Sequence, residues 1–306
     1  MDRRNFLRWL GLGLAGVCTG GQFCWPRKGA AAPGLRLACL ADAHLQNGDS
    51  RRPEAQSLAR AVAELRSLDP APQLVLFGGD LADQGNPLAL ALGREILADL
   101  PAPCLMVMGE GDGSPGNYAP WPRLFGDPWF SRTSTGLQIL GLHTAWTPGP
   151  GEPLFRVGDA GQRWLARELD RLDPEIPLLL LSHAPLAPVF RPWQQWTLDG
   201  PEILARLHRF RQVLCLHGHT HNAGASGQWP VLSKGDNFAG IFPENRKRKA
   251  ENVLHLSLPA TAWPQPQAIQ GTPALLAPGL GPCGCGWALL TVEAASFELQ
   301  PQVWSA

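Results

Sequence analysis
The chain has 306 residues, 44% of them hydrophobic, and its 26 Lys plus Arg balance 26 Asp plus Glu. This is enough apolar material for one large α/β domain or two smaller ones and excludes a mainly disordered chain; a formal net charge of zero leaves no broad electrostatic footprint, so no nucleic-acid partner is expected. The 30 prolines and 34 glycines point to long, stiffened loops rather than to a low-complexity tract.

In chain order, Asp2-Arg3-Arg4-Asn5-Phe6-Leu7 sets paired arginines before an aromatic residue and a leucine, and a modest Gly-rich apolar stretch follows from Trp9 to Val17. This resembles the twin-arginine signal of bacterial export, and the apolar run is too short for a conventional membrane span. The division to expect is a signal segment over residues 1–32 and a single domain over residues 33–306. The export machinery is then an expected partner, and the periplasm or the outer face of the cytoplasmic membrane the expected location. Cys18 and Cys24 fall in this segment, while Cys39, Cys104 and Cys215 lie in apolar runs, where a buried thiol behaves as a small hydrophobe. Cys283 and Cys285, one residue apart, suit neither an easy disulfide nor a complete metal site.

Leu35 to Ala41 reads as a strand that ends in Asp42-Ala43-His44. Leu58, Val62 and Leu65 predict a helix from Glu54 to Leu68, stopped by Asp69-Pro70. A second strand, Leu74 to Phe77, opens into Gly78-Gly79-Asp80; Asn86 and Pro87 then cap and start a helix to about Leu100. Cys104 to Met108 is a third strand and empties into Gly109-Glu110-Gly111-Asp112. The aromatic, Pro-containing stretch from Asn117 to Phe130 reads as a loop packed on the core or over a site. Leu137 to Leu142 is a strand ending at His143, followed by a helix from Gly161 to Leu172 with Trp164, Leu165, Leu169 and Leu172 facing inward.

Leu178 to Leu181 runs into Ser182-His183, and after a helix near Pro201 to Arg211 the run Val213-Leu214-Cys215-Leu216 leads into His217-Gly218-His219-Thr220-His221. Short apolar runs without polar alternation are the mark of buried parallel strands, which present their sites at their carboxyl ends. Asn222 to Asn252 is a long connection carrying Arg246-Lys247-Arg248-Lys249, a solvated loop or else an anion or weak membrane-surface contact. Val253–Leu258, Trp287–Val292 and Phe297–Val303 are expected to complete a second sheet.

Strand ends thus supply Asp42 and His44, then Asp80, Glu110 and His183, then His219 and His221. Imidazole is the commonest metal ligand, the set exceeds what one zinc needs, and a lone Asp80 suits bridging, so a dinuclear centre is implied. The ordered pattern D-x-H, G-D-x-x-x-x-G, a lone His and G-H-x-H resembles the signature of the calcineurin-like metallophosphoesterases over about residues 35–221. The resemblance implies a four-layer α/β/β/α sandwich of two mixed sheets and two divalent or Fe-type metal ions (Mn, Fe or Zn). It gives Asp42, His44 and His221 to the first metal, Asp80 to both, and His183 and His219 to the second. The implied reaction is hydrolysis of a small phosphomonoester or phosphodiester by attack of metal-bound hydroxide.

Where the family has G-N-H-D, this chain has Gly109-Glu110-Gly111-Asp112. Glu110 stands for the asparagine ligand and can still ligate; Gly111 stands for a histidine that contacts substrate or protonates the leaving group, and it cannot act as an acid. Asp80, Asp112 and His143 are the residues expected to serve the catalytic step, His143 as a substitute proton donor. The competing expectation is a metal-binding scaffold of the same fold with weakened or lost turnover.

Overall fold
A computed structural model describes residues 34–113, 120–147, 155–188, 195–221, 252–262, 285–293 and 296–304. The signal-like segment over residues 1–32, Cys18, Cys24, Cys283 and the basic run at 246–249 lie outside the described residues.

In chain order the elements are β1 (Leu35–Leu40), α1 (Pro53–Arg66), β2 (Leu74–Phe77), α2 (Pro87–Leu97), β3 (Cys104–Met106), α3 (Pro120–Phe125), β4 (Phe130–Ser134) and β5 (Leu137–Leu142). They continue with β6 (Ala145–Trp146), β7 (Phe155–Arg156), α4 (Gly158–Arg171), β8 (Leu178–Ser182), α5 (Gly200–Leu207), β9 (Val213–His217), β10 (Val253–Ser257), β11 (Gly286–Glu293) and β12 (Ser296–Val303). One sheet has the order β12-β11-β1-β2-β3 and the other β10-β9-β8-β5-β4. In the first, β1, β2 and β3 run parallel; in the second, β5, β8, β9 and β10 do. Antiparallel strands close one edge of each sheet, β11 and β12 in the first and β4 in the second.

The uninterrupted apolar runs have two faces to bury, and each face meets a different layer. Leu37, Cys39 and Leu76 point between the sheets, against Ile139, Leu179, Leu181, Leu214 and Leu216. Ala38, Leu40, Val75 and Phe77 turn the other way onto Leu58, Val62 and Leu65 of α1 and Leu90 of α2. On the far side, Leu140, Leu178, Leu180 and Val213 pack on Leu165 and Leu169 of α4 and Ile203 and Leu207 of α5. The result is the α/β/β/α arrangement expected. Among the described residues no helix is long and apolar enough to cross a membrane.

Three expectations change. The last three strands do not share a sheet: β10 extends the second, while β11 and β12 extend the first. Trp287 shows why, because its indole N–H donates to Glu64 of α1 at 2.8 Å while Leu290 faces the inter-sheet core, so both faces of β11 belong beside β1. The aromatic stretch contains α3, with Trp121 fully buried and its ring 4.6 Å from that of Phe125. Finally, Phe130–Ser134 forms an edge strand, which its polar residues hide, since an edge exposed to water needs no apolar run.

Candidate metal centre
Within each sheet, backbone hydrogen bonds lace together the turns that follow neighbouring strands. Asp42 N–H donates to Gly79 O at 2.9 Å, His44 N–H to Asp80 O at 3.0 Å, and Leu258 N–H to His217 O at 2.8 Å. The turns that follow the strands are tight enough to force left-handed backbone on five ligand-type residues: Asp42 (φ 56), His44 (φ 49), Asp80 (φ 54), His219 (φ 64) and His221 (φ 51). Such conformations cost of order 1–3 kcal/mol each for residues with a Cβ and persist where surrounding structure over-determines them. Two glycines make the approach possible. A Cβ on Gly79 (φ 93) would lie 2.6 Å from His183 Nδ1, and one on Gly218 would lie 2.7 Å from Asp42 Oδ2.

These turns gather Asp42, His44 and His221 into one group of ligand atoms, and Glu110, His183 and His219 into another, each with all atoms within 4.8 Å of one another. Asp80 lies between: its Oδ2 is 3.6 Å from His44 Nε2 and 3.4 Å from His183 Nε2. Its Oδ1 accepts the Gly111 N–H at 2.7 Å. Asp42 accepts the His219 N–H at 3.0 and 3.2 Å and faces His221 Nε2 at 3.4 Å.

The hydrogen bonds behind the imidazoles decide what their inner nitrogens can do. His183 Nδ1 donates to Gly78 O at 2.7 Å, His219 Nε2 to Gln195 Oε1 at 2.7 Å, and His44 Nδ1 to Asp83 Oδ1 at 2.7 Å. Each neutral ring then presents a lone pair inward. His183 Nε2 meets Glu110 Oε2 at 2.7 Å, His219 Nδ1 meets Glu110 Oε1 at 2.8 Å, and His44 Nε2 meets His221 Nε2 at 2.9 Å. His183 Nε2 and Glu110 Oε2 are buried and face each other, and only a proton between them would make that contact a hydrogen bond. Facing lone pairs at such distances need a proton or a cation to hold them. Residues of this kind fit a pair of cations, with imidazole and carboxylate donors suited to Mn, Fe or Zn.

The electrostatics of the cluster agree. Burial opposes charge on Glu110, but the imidazoles of His219 and His183 outweigh it and hold the carboxyl well below the usual carboxylate range. Burial likewise opposes charge on His44, but the bond to Asp83 and the charges of Asp80 and Asp42 lift it to about 9. The cluster thus concentrates negative charge that a proton or a cation would relieve.

Two further residues sit differently from the seven. Asp112 is fully buried, and its oxygens accept the backbone N–H groups of Asp80, Ala82 and Gly109 at 2.9, 2.9 and 3.0 Å. That places it beneath the centre as a brace for the turn that carries Asp80. His143 ends β5 but is not part of either ligand group; burial pushes it down to about 4, with a bond to the Met108 backbone pulling the other way. Burial thus favours its neutral form. His217, the first histidine of its stretch, is buried with Nδ1 2.9 Å from Gly218 O, and burial lowers it to about 3, which makes it part of the core.

Asp83 and Gln195 are the supporting residues that sequence reasoning passed over. Asp83 had a signal, an acidic residue three beyond Asp80 on the same turn; Gln195, in a loop far along the chain, had none.

Residues 35–223 match the family model described as Calcineurin-like phosphoesterase. A cAMP/cGMP dual specificity phosphodiesterase of Mycobacterium tuberculosis is 29% identical over 208 residues, 62% of this chain and 62% of that protein. A probable cyclic nucleotide phosphodiesterase of Synechococcus is 30% identical over 174 residues, 55% and 66% of the two chains. A probable glycerophosphodiester phosphodiesterase of Arcobacter nitrofigilis is 25% identical over 183 residues, 56% and 64%. The match thus spans less than two thirds of each of these relatives. Among solved structures, the purple acid phosphatase PPD1 of yellow lupin has a TM-score of 0.56 at 13% identity, covering 92% of this chain and 54% of its own. A dimetal phosphatase from Danio rerio has a TM-score of 0.53 at 13% identity, covering 88% and 99%. At these identities the structural likeness is one of fold.

Proposed function
We propose, for a chain that belongs to the calcineurin-like phosphoesterase family, that it hydrolyses small phosphate esters, phosphodiesters above all, at a two-cation centre. The observation that carries this reading is the pair of carboxylate and imidazole groups that meet at Asp80, with inward lone pairs that only protons or cations can hold. Two such cations, when bound, supply an acidified water near pH 7 and positive charge for the phosphoryl oxygens.

The chain's own residues do the rest. Asp42, His44 and His221 would hold one ion, Glu110, His183 and His219 the other, and Asp80 both. Asp83, Gly78 O and Gln195 fix which nitrogen of His44, His183 and His219 faces inward, as partners behind metal-ligating imidazoles do. The relatives named for cyclic nucleotides and glycerophosphodiesters support a diester substrate. Gly111 offers no side chain, and burial favours the neutral form of His143, so the leaving group draws its proton from water. General acid catalysis is typically worth about 10²- to 10⁴-fold, so esters with good leaving groups should be strongly preferred.

The test is a leaving-group series of diesters, from bis(4-nitrophenyl) phosphate to dialkyl phosphates, with protein loaded with manganese. A kcat/KM that falls steeply as the leaving-group pKa rises is expected. Two bound metals with no turnover of any ester would favour the scaffold reading instead.

We also propose that residues 1–32 direct export by the twin-arginine route to the periplasmic side, which the Arg3-Arg4 pair before Phe6-Leu7 supports. Changing Arg3 and Arg4 together to Lys should leave the protein in the cytoplasm; unchanged export would overturn this reading.

A further inference from the structure
The two cation positions carry the same donors. Asp42 stands with His44 and His221, Glu110 stands with His183 and His219, and Asp80 lies between them. Among the described residues, no arginine or lysine pairs with any of these three carboxylates; their ion-pair partners are all histidines. Cations are therefore the charges available to balance them. Four positive charges on two divalent ions, set against the three ligand carboxylates alone, leave one positive charge for substrate, which the Asp83 carboxylate behind His44 lowers further. An amide at position 110 would leave one more.

We infer that Glu110 sets the class of phosphate ester the centre accepts: it makes the second cation position a copy of the first and, by cancelling one more positive charge, favours singly charged diesters over doubly charged monoesters. The inference rests on the two-cation reading above. Its physical basis is that attraction between the centre and an anion scales with the product of their charges, so one extra negative charge weakens a dianion twice as much as a monoanion. Geometry makes the charge effective. Glu110 reaches both imidazoles of its position, at 2.7 Å to His183 Nε2 and 2.8 Å to His219 Nδ1, so it belongs to the centre and not to its rim. Its side chain is 25% exposed, so water screens part of the effect.

The test compares the metal-free protein with its Glu110→Gln and Glu110→Asp variants. Calorimetry gives the number and affinity of Mn²⁺ ions bound. At saturating Mn²⁺ and pH 8, it then gives the affinities for inorganic phosphate, mainly a dianion there, and for dimethyl phosphate, a monoanion. The wild type should bind two Mn²⁺. Glu110→Gln should bind its second Mn²⁺ at least about tenfold more weakly, and its preference for inorganic phosphate over dimethyl phosphate should rise on the order of tenfold. Glu110→Asp, which keeps the charge with a shorter reach, should keep the wild-type anion preference even where its Mn²⁺ affinity drops. An unchanged anion preference in Glu110→Gln with two Mn²⁺ bound would overturn this inference alone. So would a Glu110→Asp variant that behaves like Glu110→Gln, because shape and not charge would then decide. No Mn²⁺ bound by the wild type would overturn the two-cation reading itself.

Discussion

The two ligand groups proposed to hold cations have matching donors and unlike support. Behind the first, the His44 Nδ1–H is held by a carboxylate, Asp83, and the ring is 17% exposed. Behind the second, His183 is wholly buried and held by a backbone carbonyl, Gly78 O, while His219 leans on the neutral side chain of Gln195. A carboxylate behind an imidazole raises its basicity; a carbonyl orients it without adding charge. The contrast follows from place. Asp83 is 37% exposed and sits on an open turn where water shares the cost of its charge, whereas a second carboxylate behind His183 would be buried without a counter-ion. The buried His183 ring is thus held by orientation alone, and the part-exposed His44 ring by charge.

The largest break in this comparison comes from the residue both positions share. Asp80→Asn should leave neither position intact, taking bound metal well below two ions per chain by elemental analysis. Diester turnover should fall by at least the order of 10²- to 10³-fold that removal of one preorganised charge partner typically costs. Next is the floor beneath that residue. Asp112→Ala would strip partners from the buried N–H groups of Asp80, Ala82 and Gly109, and at about 1–3 kcal/mol per unpaired buried group the protein should lose roughly 3 kcal/mol or more of stability. Thermal unfolding would show this as a large drop in Tm, whereas a residue acting only in the chemical step would leave Tm unchanged.

The unlike support itself is the finer test. Asp83→Asn keeps an acceptor for His44 Nδ1–H but removes the charge, and should weaken the first metal about 10- to 100-fold. Gln195→Ala removes only a neutral partner of His219 and should weaken the second metal by less, about tenfold at most. Equal losses in the two variants, measured by competition with a coloured chelator, would show that charge behind the ring does not matter here.

Much of this arrangement was legible because of what buried parallel strands require. Leu74–Phe77, Leu178–Ser182 and Val213–His217 are nearly unbroken apolar runs with both faces covered, so the polar residues that follow them mark where the sheets open. The seven ligand-type residues stand at such openings, and the fold draws them together. What could not be read depends on direction and distance. Asp112 follows Glu110 by two residues on the same turn, yet one side chain enters the centre and the other braces it from below, a choice made by backbone geometry that spacing does not encode. Gln195 reaches His219 from a loop whose course nothing in the sequence announces. The partition of β10 from β11 and β12 turned on where Trp287 could find Glu64, a contact 223 residues apart in the chain.

Gly111 carries a similar lesson for engineering. A Cβ there would lie 2.6 Å from Ala82 O and 3.1 Å from Asp80 Oδ1, so Gly111→His would have to move the turn that presents its N–H to Asp80. A proton donor cannot be added at this position without disturbing the shared carboxylate.

The most direct test of the account is a titration of Mn²⁺ into metal-free protein, with hydrolysis of bis(4-nitrophenyl) phosphate followed at each addition. Turnover should climb to a break at two equivalents per chain, with little activity at the first. Full activity at one equivalent, or activity indifferent to the metal, would contradict a centre made of two like positions joined at Asp80.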